Sequence, residues 1–242
     1  RTTVAAGARC VKLLAFDTAL GPGSVAVWQD GRILGFGAET TRKALAEELV
    51  PLIETVLAEA GTGYAELDRL AVTVGPGTFT GLRVGLATAR GLALATGLPL
   101  VGLSTLEVLA WPARPQLGEG DIVIASIDAR RGELFQQAFR KTAGRLEPLA
   151  PPLAYPVERA ADVRPASSDA AKIYCLGSGA ELLIQNVGVA AKDWQRLGGF
   201  DEVDARALAE QASLAELSPS PPEPLYLREP DAKLPKDGLG LR

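Results

Sequence analysis

The chain has 242 residues, a formal net charge of −4, 47% hydrophobic and 22% charged residues, and neither histidine nor methionine. That length and apolar content suit one large core or two lobes of about 100 residues each, while the acidic balance excludes a broad basic surface for gripping nucleic acid unaided. Without imidazole, Ser-His and Cys-His nucleophile pairs and histidine-bound zinc or iron are excluded as well.

The opening RTTVAAGARC lacks the apolar stretch of a secretory signal and reads as a loose extension over residues 1–10. From Val11, VKLLAF is a buried strand ending at Asp17. A Gly21–Gly23 turn, SVAVWQ, an Asp30-Gly31 pair and RILGFGAE complete a β meander. Leu45, Leu49, Leu52, Ile53, Val56, Leu57 and Ala60 recur at spacings of three and four and predict an amphipathic helix, with Thr40 or Thr41 as its cap and Gly61 as its end. Pro51 predicts a kink or a later start. RLAVTV then reads as a buried parallel strand, and GPGTFTG as a strand-to-helix junction opening a helix from about Gly81 to Thr96, stopped by Gly97 and Pro99.

PLVGLS is a further strand and Thr105–Ala110 a short helix. The meander grammar then returns: DIVIASI ends at Asp128, and the turn ARRG, ELFQQAF, the turn KTAG and RLEPLA follow, an internal repeat of pattern. A Pro- and Ala-rich connection runs from Pro148 to Pro165, before the strand KIYCL, the GSGAELLI segment and a final helix over Asp204–Leu217. PSPPEP reads as an extended linker and YLREPDAKLPK as a surface strap with little structure of its own. The expected division is an extension over 1–10, an N-terminal lobe over 11–105, a C-terminal lobe over 106–217 and a tail over 218–242. Arg83 and Arg90 interrupt the longest apolar run, so no membrane span is expected, and Cys10 and Cys175 are too few and too distant for a disulfide framework or thiolate metal site. The expected compartment is the cytoplasm.

GPGTFTG invites a phosphate-loop reading, but the Gly-Lys pair of a Walker loop is missing and Gly75 is followed by Pro76. The helix after it carries Gly81, Gly85 and Gly91, each costing roughly 1 kcal/mol relative to alanine. Close approach of another segment offsets that cost. Gly81, Gly85 and Ala89 form one stripe, with Leu82, Leu86, Ala93 and Leu94 beside it. A helix buried in its own lobe and a helix packed on a partner both fit this pattern. Asp17 and Asp128 hold equivalent places in the two meanders, where a two-lobed sugar-kinase or actin-like fold holds metal and phosphate, and Gly177 and Gly179 stand where that fold contacts adenosine. The loops after both acids lack the residues of working phosphate hairpins, and an Asp at a turn is also an ordinary turn former. Arg130, Arg131 and Arg140 read as solvated.

GPGTFTGLRVGLATARGLAL, together with LLAFDTA, SVAVWQDG, IDARRGELF and PLYLR, resembles the TsaB (YeaZ) family of bacterial tRNA threonylcarbamoyladenosine biosynthesis, over about Val11 to Lys236. The resemblance implies an α/β, two-lobed actin/sugar-kinase-like fold. It also implies a non-catalytic partner of the paralogous transferase TsaD, working with the ATPase TsaE, homodimeric when alone and meeting tRNA only through the complex. Neither a catalytic residue, a metal nor a cofactor of its own is implied, ATP being used by the partners. Mapped onto this chain, the partner interface falls on helices over about Ala44–Ala60 and Gly81–Ala95, through Leu45, Leu49, Leu52, Ile53, Val56, Gly81, Leu82, Arg83, Gly85, Leu86, Ala89 and Ala93. A remnant nucleotide cleft falls on Asp17, Asp128, Gly177 and Gly179. The transferase holds its metal through His-x-x-x-His, which this chain cannot supply, and Leu45 stands where many relatives carry a histidine. An ATP-dependent kinase or ATPase of the same fold, and a peptidase, are the alternative readings.

Overall fold

A computed structural model describes residues 11–39, 45–159, 172–188 and 192–228. The expected extension over 1–10, the Thr40 and Thr41 caps and the end of the strap beyond Arg228 lie outside them. β1 (Lys12–Asp17), β2 (Ser24–Gln29) and β3 (Arg32–Ala38) form the first antiparallel meander. β4 (Arg69–Gly75) then pairs parallel to β1 and β5 (Leu100–Ser104) parallel to β4, giving the order β3-β2-β1-β4-β5.

The second sheet repeats this plan. β6 (Ile122–Arg130), β7 (Glu133–Thr142) and β8 (Arg145–Pro148) are the meander, and β10 (Ile173–Leu176) and β11 (Gln195–Arg196) add in parallel on the other side, in the order β11-β10-β6-β7-β8. Two sheets with one strand order, each a meander followed by parallel additions, are the duplicated core of the actin and sugar-kinase-like architecture. One difference from expectation is β9 (Leu153–Pro156), which pairs antiparallel with Glu133–Gln136 of β7 inside the stretch that reads as a Pro- and Ala-rich connection. Its prolines stand at the strand end and outside it, where a missing N–H costs the ladder least.

Alternation along the strands sorts side chains into layers. Leu14 and Phe16 of β1 face an outer core with α1 (Leu45–Glu59) and α2 (Phe79–Thr96), whereas Leu13 and Ala15 face an inner one. In β6, Val123, Ala125 and Ile127 face the same inner core while Ile122 and Ile124 face α4 (Ala180–Val187). The inner core is filled by α3 (Thr105–Ala110), set on the second sheet, and α5 (Ala205–Leu214), set on the first, in contact with each other. α5 is held at both ends: the Ala205 amide donates to Ser24 Oγ at 3.0 Å, and Arg69 Nη1 donates to the Ala212 and Ala215 carbonyls at 3.2 and 3.0 Å. It ends at Leu214, three residues before the Leu217 expected from sequence, as the chain turns extended at Ala215.

α2 begins at Phe79, two residues ahead of expectation, because Thr78 is its N-cap and accepts the Gly81 amide. Gly97, at φ 73°, ends it. Gly81 and Gly85 face Thr18 at the end of β1. The Thr18 hydroxyl donates to the Gly81 carbonyl at 2.7 Å, and a Cβ at Gly81 would collide with the Thr18 carbonyl oxygen. Gly91 has no neighbour within 4 Å of where its Cβ would stand. The two kinds of glycine respond oppositely to the same change. Gly81→Ala is expected to lower stability by about 1–3 kcal/mol through overpacking, whereas Gly91→Ala raises it by about 0.5–1 kcal/mol through helix propensity. Urea unfolding of the two variants checks both signs.

Candidate functional site

The residues expected at a partner interface are mostly inside this chain's own core. Leu45, Leu49, Ile53 and Val56 of α1 are buried, all but Leu45 within the outer core, and Leu86 and Ala89 of α2 join that core against Phe16, Val25, Leu70 and Val72. Leu82 is buried toward the inner core, Gly81 and Gly85 are closed by Thr18, and Leu52 and Ala93 are partly buried on the outer core. Of the twelve, only Arg83 is exposed, its guanidinium 3.7 Å from the centroid of the Phe79 ring. The sheet takes the wider apolar stripe of each helix, because desolvating whole leucine and isoleucine side chains outweighs any gain on the narrower one.

The faces left to solvent carry other residues. On α2 they include Arg83, Ala87, Arg90, Gly91 and Leu94, with Leu94 89% exposed and Phe79 exposed at the first turn, and the helix contains no acid along its length. On α1 they include Glu47, Glu48, Val50, Glu54 and Glu59, and that helix contains no base. Two neighbouring helices therefore present opposite charge, together with the exposed apolar side chains of Val50 and Leu94. The outward stripe of α2 recurs at three- and four-residue spacing, so it was readable in the sequence once the sheet-facing stripe is known.

The second candidate is the cleft around Asp17. Its Oδ1 accepts the Thr73 hydroxyl at 2.5 Å and the Ala19 amide at 3.1 Å. Burial pushes the carboxyl up from its usual 3.8 to about 6 against those hydrogen bonds, and the nearby Glu202 charge adds to the rise. The adjoining cavity of about 470 Å³ is lined by Asp17, Glu39, Asp201, Glu202 and Asp204, its only charged lining among the described residues. Two of these acids are already paired, Asp204 with Arg206 and Asp201 with Arg196. Asp128 is engaged in its own turn, accepting the Arg130 amide at 2.8 Å with Arg130 Nη1 at 3.4 Å. Gly177 and Gly179 close against Ser126 of β6, leaving no room there for even a Cβ. Gly77 is likewise filled by Ala19, and Gly75 by the Leu225 carbonyl, so the junction that resembles a phosphate loop is occupied by the chain itself.

Among the described residues no group of His, Cys, Asp and Glu is placed to hold a metal ion, and no helix is long and apolar enough to cross a membrane. The Cys175 thiol is pushed up to about 12 by burial, which leaves it protonated and unreactive at neutral pH.

A family model described as TsaD, tRNA N6-adenosine threonylcarbamoyltransferase, matches residues 31–199. The chain belongs to the TsaD family. Within this family it is similar to TsaB proteins. It is 37% identical over 131 residues to tRNA threonylcarbamoyladenosine biosynthesis protein TsaB of Escherichia coli, covering 54% of this chain and 56% of that protein. With the Haemophilus influenzae TsaB it shares 38% identity over 130 residues, 53% of this chain and 54% of the relative. These matches span about half the length of those curated relatives. An uncharacterized Mycobacterium tuberculosis protein is 30% identical over 223 residues, covering 91% of this chain and 93% of its own. Among solved structures, an uncharacterized Pseudomonas aeruginosa protein with similarity to peptidase YeaZ superposes with a TM-score of 0.77 at 28% identity, over 90% of this chain and 100% of that one. YeaZ from the same organism follows at 0.71 and 27%, over 84% and 91%.

Asp17 gives the cleft a pH signature. Because its folded pKa lies above the unfolded value, the native state gains protons relative to the unfolded chain between pH 3.8 and about 6. Stability from this group is therefore greatest below that window, falls as pH rises through it and levels off above it, by on the order of 3 kcal/mol. Asp17→Asn keeps the oxygen acceptor for Thr73 and Ala19 and is expected to remove this fall. Urea midpoints of both proteins from pH 4 to 7 measure it; a difference between them that does not vary with pH contradicts the assignment.

Proposed function

We propose that this chain is a non-catalytic partner subunit in the synthesis of N6-threonylcarbamoyladenosine in tRNA. It docks on a TsaD-type paralogue through the outward faces of α1 and α2 and pairs with a second copy of itself when alone. The observation that carries this reading is the pair of faces: an acid-free helix showing Arg83, Ala87, Gly91 and Leu94 beside a base-free helix showing glutamates and Val50. An isologous or near-isologous contact sets the acidic face of one chain against the basic face of the other and covers Leu94. The small residues Ala87 and Gly91 let helices approach closely at the centre of that contact.

The names of the TsaB relatives support the pathway, and the chemistry of this chain supports the division of labour. It has no histidine, a cleft lined by carboxylates, and glycines at the candidate nucleotide positions that are filled by its own backbone. With a net charge of −4, it meets tRNA through the assembly rather than by itself. ATP is consumed by a TsaE-type ATPase in this scheme, in the cytoplasm.

Leu94→Asp and Ala87→Arg test the contact, since both side chains are exposed and neither change burdens the core. Each is expected to weaken association with the TsaD-type paralogue by at least tenfold in titration calorimetry, to abolish threonylcarbamoyladenosine formation in the reconstituted reaction at limiting concentration, and to leave the thermal midpoint unchanged. Wild-type affinity in both variants would rule out this interface. Tight magnesium-dependent ATP binding by the isolated chain, lost in Asp17→Ala, would favour the ATPase reading instead.

A further inference from the structure

Residues 222–228 pass from one sheet to the other without joining a helix or strand. At the start, the Pro222 carbonyl accepts Arg90 Nη2 at 2.7 Å, and its ring fills the space over Gly102 of β5 that a side chain would need. Midway, the Leu225 amide donates to the Val74 carbonyl at 2.7 Å, and the Tyr226 ring stands 5.9 Å from that of Phe79 at the first turn of α2. Leu227 packs on the inner core. At the end, Arg228 reaches the β6–β7 hairpin, where Nε donates to Glu133 Oε2 at 2.6 Å and Nη2 to the Ala129 and Arg130 carbonyls at 3.1 and 3.4 Å.

This is more than a linker. Each end is fixed by directional bonds to a different sheet, and the three residue steps between Leu225 and Arg228 extend only about 10 Å. With both bonds made, the ends of β4 and β6 cannot separate freely. α3 and α5 join the sheets through the inner core, whereas this segment joins them at the strand ends, where a rotation about that core produces the largest displacement. We propose that residues 222–228 are a releasable clasp that sets the spacing between the β6–β7 hairpin and the N-terminal end of α2. Closing it costs little chain entropy, because Pro219, Pro221, Pro222 and Pro224 stiffen the approach. Opening it breaks no strand ladder; it lifts Pro222 from Gly102 and the Leu225 backbone from Gly75 and Val74, and unpacks a partly exposed ion pair, a half-exposed tyrosine and one leucine, few enough contacts to place it toward the low-stability end of the molecule. Release strips Phe79, at the first turn of α2, of its ring partner and frees Arg90, which stands on the outward face of that helix. The clasp stands or falls independently of the partner assigned to that face.

Hydrogen exchange on the full-length chain, read residue by residue by NMR, tests it. In the wild type the Leu225 amide is expected to exchange at least tenfold more slowly than an unprotected amide. Arg228→Ala is expected to raise exchange at least tenfold both at Leu225 and across residues 129–133, with the amides of α3 and α5 unchanged. Glu133→Gln, which retains a neutral acceptor, produces a smaller rise at the same two places. An unprotected Leu225 in the wild type, or a rise at Leu225 that leaves 129–133 unaffected, overturns the clasp. Should Arg228→Ala raise exchange throughout α3 and α5, Glu133→Gln decides by the same criterion.

Discussion

Thr18, the first residue past β1, sets its hydroxyl on the carbonyl of Gly81, 2.7 Å away, and nothing larger than hydrogen fits between that turn and α2. Because the helix comes this close, Leu82 can enter the inner core while Leu86 and Ala89 stay in the outer one, so a single helix seals the first sheet at its strand ends. The same docking settles which stripe of α2 is left over. Arg83, Ala87, Gly91 and Leu94 are outward because Gly81 and Gly85 are inward. Phe79, at the first turn, is thereby placed where Tyr226 can reach it.

The cleft keeps the paired acids of the two-lobed plan in surroundings supplied by this chain itself. Asp17 and Asp128 keep the positions expected from the repeat, yet each is committed to its own surroundings, Asp17 to Thr73 and Ala19, Asp128 to Arg130. The glycines around them admit protein backbone: Ala19 at Gly77, Leu225 at Gly75, Ser126 at Gly177. Close approach is what these glycines permit, and here the approaching group belongs to the same chain.

Much of the architecture was legible residue by residue. Short apolar runs separated by Asp-Gly and Gly-rich turns are strands whose partners are adjacent in sequence, so both meanders could be read directly, as could the repeat that relates them. The end of α2 followed from Gly97, a local feature that needs no tertiary information, whereas its start lies two residues before the expected Gly81. The outward face did not follow. A helix apolar nearly all round offers several stripes to a sheet, and the family-mapped set Leu49, Ile53, Val56, Gly85 and Leu86 is the one the sheet covers. Likewise β9 carries proline at its end and little alternation, and it becomes a strand only because the free edge of β7 lies beside it.

By itself, then, the sequence determined both meanders, the repeat that relates them and the absence of imidazole chemistry, since each depends on neighbours along the chain or on composition. Only the tertiary structure decided which glycines meet backbone and which meet solvent, which helix stripe stays exposed, and that an irregular proline-rich tail bonds to both sheets. Those outcomes depend on distances between segments tens of residues apart. Local propensity carries no record of such distances, and packing must resolve them all at once.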